Sequence, residues 1–172
     1  NSNNLQKLYI AYFGRPADPS GLKYWLSCLN VSLNISEISE ELSRQEEYKY
    51  FAYAKSLDSQ IDQIYLNLFN RRAESDDLKY LKEVFKNKDD KISDIVYSLL
   101  FSNIKSNLID SNRVSLDIEI LNNKVFAAEN FTNRIAQSIN LIALYQPDSL
   151  SPWLNSSSFE KVSNFLSNIN QQ

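Results

Sequence analysis

The helix breakers of this chain are gathered in one place. Both of its glycines, Gly14 and Gly21, fall within the stretch from Phe13 to Trp25, "FGRPADPSGLKYW", together with two of its four prolines, Pro16 and Pro19. Elsewhere little interrupts a helix, because glycine and proline are the strongest local punctuators of structure. The apolar residues recur accordingly. Leu5, Leu8, Tyr9 and Tyr12 stand at i, i+3, i+4 and i+7, as do Ile61, Ile64, Tyr65 and Leu68, and Ile92, Ile95, Val96 and Leu99; Phe159, Val162, Leu166 and Ile169 follow a related spacing. Each set lies on one face of a helix. No segment alternates with period two for long enough to be a strand. The expected class is all-α.

The chain also repeats. Displaced by 56 residues, "LQKLYIAYFGRPADPSGLKYWL" lies over "IDQIYLNLFNRRAESDDLKYLK", so that Tyr9 meets Tyr65, Phe13 meets Phe69, Arg15 meets Arg71 and Ala17 meets Ala73. Residues 1–112 read as two related helix–turn–helix units, and 113–172 as a longer helical part packed on them in one compact domain. In the first unit Phe13 ends one helix and Asp18 starts the next. Gly14 supplies the left-handed residue that ends a helix without a Cβ clash. Asp18 caps, and Pro19 takes the first helical position, where its missing N–H is no loss. Gly21 leaves room for another backbone or a ligand to come close. The second unit has Asn70 and Asp77 at the two glycine positions, and Asn is the next best left-handed residue. Near the far end, Ser157 and Glu160 read as a capping box.

What the chain lacks bounds its chemistry. It has no histidine and a single cysteine, Cys28. A Ser-His-Asp triad, a Cys-His pair, a zinc site of imidazole or thiolate ligands and an internal disulfide are all excluded. Cys28 is expected to be a buried, inert thiol. Eighteen basic residues against 21 acidic ones give a net charge of −3, the wrong balance for replacing counterions along a nucleic acid. No apolar run nears the roughly 20 residues of a membrane span, and "NSNNLQKLYI" has no signal-peptide pattern. The reading is a soluble domain. Methionine is absent even at position 1, so the chain is expected to be a piece of something longer.

The punctuated stretch carries a family resemblance. "YIAYFGRPADPSGLKYWL" is similar to the signature of the bacterial domain-of-unknown-function 4214 family, with Gly14, Arg15, Asp18, Gly21, Leu22, Tyr24 and Trp25 matching. "NNKVFAAENFTNRI" resembles a segment that often follows such units in surface proteins. The second unit departs from the signature at both glycines and at Trp25, which is replaced by Leu81. The resemblance implies an extracellular, non-catalytic anchoring domain of a surface-layer or adhesin-type protein, outside the outer membrane of a Gram-negative bacterium. Its implied partners are lipopolysaccharide O-polysaccharide and neighbouring copies in a surface lattice. A looser likeness to phycobilisome linkers keeps open a structural module that contacts only other proteins.

Saccharide binding needs aromatic faces for the apolar sides of sugar rings and polar groups for the hydroxyls. The expected glycan-binding residues are Arg15, Asp18, Gly21, Tyr24 and Trp25, with Trp153 as a second aromatic, in the break "DSLSPWLNSSS". A phosphorylated glycan would favour Arg71 and Arg72, read otherwise as a solvated pair. No cofactor is expected. Calcium is the ion to consider, and Asp89 with Asp90, or Glu74 with Asp76 and Asp77, are the dense acidic clusters, although neither has an EF-hand's spacing. Glu37, Glu40, Glu41, Glu46 and Glu47 read as solvated helix faces rather than as a glycosidase's paired acids. An enzyme is not expected.

Overall fold

The computed structural model describes residues 1–89, 91–104 and 111–137. Among them it forms eight α-helices and no strand: α1 (Ser2–Phe13), α2 (Pro19–Val31), α3 (Ile35–Ser43), α4 (Glu46–Ala52), α5 (Leu57–Phe69), α6 (Ser75–Val84), α7 (Lys91–Phe101) and α8 (Ser111–Ala136). The chain is all-α. The predicted helix around Phe159 and the capping box at Ser157 lie outside the described residues.

Local chemistry sets the boundaries. Gly14 ends α1 at φ 63°, and Asn70 ends α5 at φ 61°. Asp18 caps α2 by accepting the Gly21 N–H, with Pro19 at the first helical position. Asn34 and Glu37 close a reciprocal capping box on α3, and Ser56 caps α5. Helix α6 begins 56 residues after α2 and α7 begins 56 after α3, while α5 begins 55 after α1.

The three apolar faces that fall on described helices point inward. Leu5, Leu8, Tyr9 and Tyr12 of α1 are buried, as are Ile61, Ile64, Tyr65 and Leu68 of α5 and Ile92, Ile95, Val96 and Leu99 of α7. Helix α1 is central, packing on α5, α8 and α3, while α3 packs on α7. Helix α8, about 39 Å long at 1.5 Å per residue, lies against α1, α5 and α2. Its buried positions include Asp117, Leu121, Lys124, Ala128, Phe131 and Ile135, a stripe at alternating spacings of four and three. Two of those six are charged, and both serve the joints described next.

Candidate functional site

The first joint closes on itself. Gly14 turns the chain so that Arg15 folds back under it, only 4% exposed. Its Nε and Nη2 donate to the two carboxylate oxygens of Glu47 at 2.9 and 2.8 Å. Nη1 donates to the carbonyl of Pro16 at 2.8 Å and to Asp18 at 3.4 Å, and the guanidinium carbon sits 5.2 and 5.3 Å from the ring centroids of Tyr9 and Phe13. A planar fork held on both carboxylate oxygens and stacked on aromatic faces is a site for arginine and not for lysine. Asp18 accepts from the Gly21 N–H and the Ser20 hydroxyl, each at 2.9 Å. Burial works against its charge, but the Gly21 hydrogen bond, then the Arg15 charge and Ser20, prevail and hold the carboxyl below its ordinary value.

These contacts show what the residues expected to bind a glycan do within the fold. Arg15 and Asp18 are occupied in holding the joint. The space at Gly21 is taken from within: a Cβ there would collide with the Tyr9 hydroxyl and crowd the Asp18 carboxylate. Trp25 is buried at 8% exposure, packed edge-on to Tyr24 with ring centroids 4.9 Å apart. Only Tyr24, 58% exposed, offers a face to solvent. Its hydroxyl has a raised pKa, first from a hydrogen bond with the Cys28 thiol and then from the Cys28 and Glu41 charges. Cys28 itself is half-buried and free rather than sealed in the core. Trp153 lies outside the described residues.

The second joint uses the same arginine differently. Arg71 donates through Nε and Nη2 to Asp117 of α8 at 3.0 and 2.7 Å, approaches Asp77 at 3.7 Å, and stacks 5.2 Å from the centroid of Tyr65. It is therefore not one of an exposed pair; Arg72 alone is exposed. Burial opposes the Arg71 charge, but Asp117, Tyr65 and Asp77 raise its pKa on balance.

Helix α8 fastens both joints. Gln6 accepts the Ala17 N–H at 2.9 Å and donates to Thr132 at 2.8 Å, while Thr132 donates to the Ala17 carbonyl at 2.6 Å. Ala73 makes the corresponding bond to Asp62 at 3.2 Å. Lys124, buried, donates to the Asn67 carbonyl near the end of α5 at 2.6 Å, a cation placed where the helix dipole favours one. The segment 122–135 is thus largely packing surface.

No family model, curated protein or solved structure matches the chain. The likeness of its first joint to the domain-of-unknown-function 4214 signature rests on those residues themselves, and here they build a structural corner.

The acidic clusters divide. Asp77 is buried against Arg71 and accepts from the Glu74 N–H. Asp89 lines a polar recess between α3 and α7 with Asp94, Glu40 and Arg44, and Asp90 lies outside the described residues. Among the described residues no group of three or more metal-ligating side chains is arranged to hold an ion. Nor is any described helix long and apolar enough to cross a membrane.

A different surface went unread in the sequence. Residues 48–53, "YKYFAY", contain four aromatic rings, of which Tyr50 and Tyr53 are each 83% exposed. Beside them Phe51, Ala52 and Lys55 face Gln60, Gln63 and Asn67 of α5 across a shallow depression with room for about 20 Å³. The density of tyrosine within six residues was the available signal.

Proposed function

We propose that this domain is a non-catalytic anchoring module of a bacterial surface-layer or adhesin-type protein, and that it holds the O-polysaccharide of outer-membrane lipopolysaccharide. The observation that carries this reading is the presentation of tyrosine rings, Tyr24, Tyr50 and Tyr53, on a frame of short helices. Exposed tyrosines offer sugars a flat apolar face and a hydroxyl at little conformational cost. The likeness of the first joint to units found in secreted surface proteins supports it. The domain acts outside the cell, with calcium as an ion whose effect belongs in the test.

The test is co-sedimentation of the purified domain with lipopolysaccharide from its host, with and without calcium. A saturable complex competed by free O-polysaccharide is expected. No complex under either condition overturns the proposal.

A second reading has its own observation. Leu116, Ile118 and Phe126 of α8 are exposed at 52%, 51% and 65%, and exposed apolar side chains suit a protein neighbour better than a sugar. A structural module in a surface lattice would use them. Substituting all three with Ser would then abolish self-association and leave lipopolysaccharide sedimentation unchanged.

A further inference from the structure

The chain carries four Asn-x-Ser/Thr tripeptides, the acceptor pattern of asparagine-linked glycosylation: Asn30-Val31-Ser32, Asn34-Ile35-Ser36, Asn130-Phe131-Thr132 and Asn155-Ser156-Ser157. The fold separates them. Glycosyl transfer needs the asparagine amide and the hydroxyl two residues on presented to one enzyme surface. On a helix, side chains at i and i+2 do not face each other, so a helical tripeptide cannot present both. Asn130-Phe131-Thr132 is caught in that way inside α8. Asn130 is exposed, but Thr132 is buried and its hydroxyl donates to the Ala17 carbonyl at 2.6 Å. Asn155 lies outside the described residues.

Asn34 is exposed but committed. Its side-chain oxygen accepts the Glu37 N–H at 2.9 Å, and Glu37 accepts the Asn34 N–H at 2.8 Å in return. That box holds Asn34 at the start of α3, with Ser36 already in the first turn. Asn30 differs on each count. Val31 is the last residue of α2, and Ser32 leaves the helix at φ −141° and ψ −27°, so its hydroxyl is released from helical spacing. Asn30, Val31 and Ser32 are all exposed, Val31 at 85%. Neither the Asn30 amide nor the Ser32 hydroxyl has a partner among the described residues. The turn is held through the main chain, where the Ser32 and Leu33 N–H groups share the Cys28 carbonyl, each at 2.9 Å. Both side chains can therefore move without breaking a contact of the fold, and a helix end opens locally at low cost.

On the reading that the domain belongs to a cell-surface protein, we propose that Asn30 is an N-glycan acceptor. The co-substrate is a glycosyl diphosphate, used by a separate transferase. Asn30 Nδ2 forms the bond to the anomeric carbon of the sugar, and the bond from that carbon to the diphosphate oxygen breaks. The diphosphate leaves with the electron pair, and the amide proton passes to a base of the transferase. Ser32 is a positioning residue, its hydroxyl the group read two residues beyond the acceptor. The attached glycan covers Val31 and keeps the corner between α2 and α3 out of contact with a neighbouring copy. Such modification is bulky, solubilising and confined to surfaces, which suits a corner that contributes no side chain to the joints.

The experiment purifies the full chain from cells of its host, digests it with trypsin and sequences the peptide 24–44 by electron-transfer mass spectrometry, which tells Asn30 from Asn34. Sugar on Asn30, with Asn34 and Asn130 bare, is expected. Asn30→Gln and Ser32→Ala, expressed in the same host, should each lose it. Ser32→Thr restores the hydroxyl and should keep it. Both positions are exposed, so all three variants should fold as the wild type does by circular dichroism. A single added sugar, from a nucleotide-linked donor, and a preassembled oligosaccharide, from a lipid-linked one, both support the proposal. A bare Asn30 in the wild type overturns it, whichever other asparagine carries a sugar, and so does a glycan on Asn30 that survives Ser32→Ala. Sedimentation with host lipopolysaccharide separates the two readings. Sugar on Asn30 without any lipopolysaccharide complex keeps the acceptor site and rejects anchoring. A complex formed by a chain whose Asn30 is bare does the reverse.

Discussion

Asn67 is bonded to Ala11, its own counterpart 56 residues earlier: the side-chain Nδ2 donates to the Ala11 carbonyl at 2.9 Å, in the interior. Gln63 donates to the Asn67 side-chain oxygen and Lys124 to its main-chain carbonyl. One asparagine therefore ties α1, α5 and α8 together. Near the ends of both helices the last carbonyls have no helical partner, and Asn67 and Lys124 supply donors that water cannot reach.

Asn67→Ala should cost about 1–3 kcal/mol, the range for leaving a buried group unsatisfied. Gln63→Ala removes only the half-buried outer bond and should cost no more than about 1 kcal/mol. Urea unfolding monitored by circular dichroism reads both. Equal costs would mean that the bond to Ala11 contributes little.

The left-handed corners separate glycine from asparagine at equivalent places. Gly14→Ala puts a Cβ at φ 63° and should destabilise by about 1–2 kcal/mol. Asn70→Gly relaxes a residue at φ 61° whose buried side-chain oxygen has no hydrogen-bond partner among the described residues. It should be neutral or stabilising by up to about 1 kcal/mol. A clear loss of stability in Asn70→Gly would mean that the asparagine side chain holds the corner in some other way.

How far the chain was legible depended on how each residue signals. The faces of α1, α5 and α7 were plain because Leu, Ile and Tyr stand at helical spacing, and the corner at Gly14 was plain because glycine was so rare. Helix α8 was obscure because its inward stripe includes Asp117 and Lys124, charges that a periodicity count scores as solvent-facing. Their partners, Arg71 and the Asn67 carbonyl, are brought near only by the fold. The structural role of the first joint was hidden for a related reason. Arg15, Asp18 and Trp25 look like binding chemistry in sequence, and only the distance to Glu47 and the burial of Trp25 reveal that they hold a corner. Tyr50 and Tyr53 drew no reading, since a tyrosine in a short amphipathic segment is as readily core as surface, and only the fold shows both exposed.

Gly21 gives a test that separates packing from backbone freedom. It is helical, with no positive φ, so alanine there costs nothing in conformation. The obstacle is the Tyr9 hydroxyl, with the Asp18 carboxylate behind it. Gly21→Ala should therefore destabilise by about 1–3 kcal/mol through overpacking. Tyr9→Phe removes the obstructing oxygen, so the cost of Gly21→Ala should fall by at least half in the Tyr9→Phe background. Additive costs in the double-mutant cycle would place the clash elsewhere.

Lys124 makes stability depend on pH in an unusual direction. Burial pushes its ammonium down from 10.5 to about 8, so the folded chain releases this proton more readily than the unfolded one. Below pH 8 both states hold the proton, and the full cost of burying the charge is present. Between pH 8 and 10.5 the unfolded chain still binds a proton that the folded chain has lost, and stability rises with pH across that window. At about 1.4 kcal/mol per pH unit of displacement, the gain is on the order of 3 kcal/mol. Other groups titrate there too, so the measurement compares the wild type with Lys124→Met, which keeps the length and drops the charge. At pH 7 the methionine variant escapes the charge-burial cost but leaves the Asn67 carbonyl without its donor, two effects of similar size, and should lie within about 2 kcal/mol of the wild type. From pH 8 to 10.5 the difference should move toward the wild type by about 3 kcal/mol. A difference that stays flat across that range would show that Lys124 titrates as a solvated lysine, and that α8 does not seal it against α5.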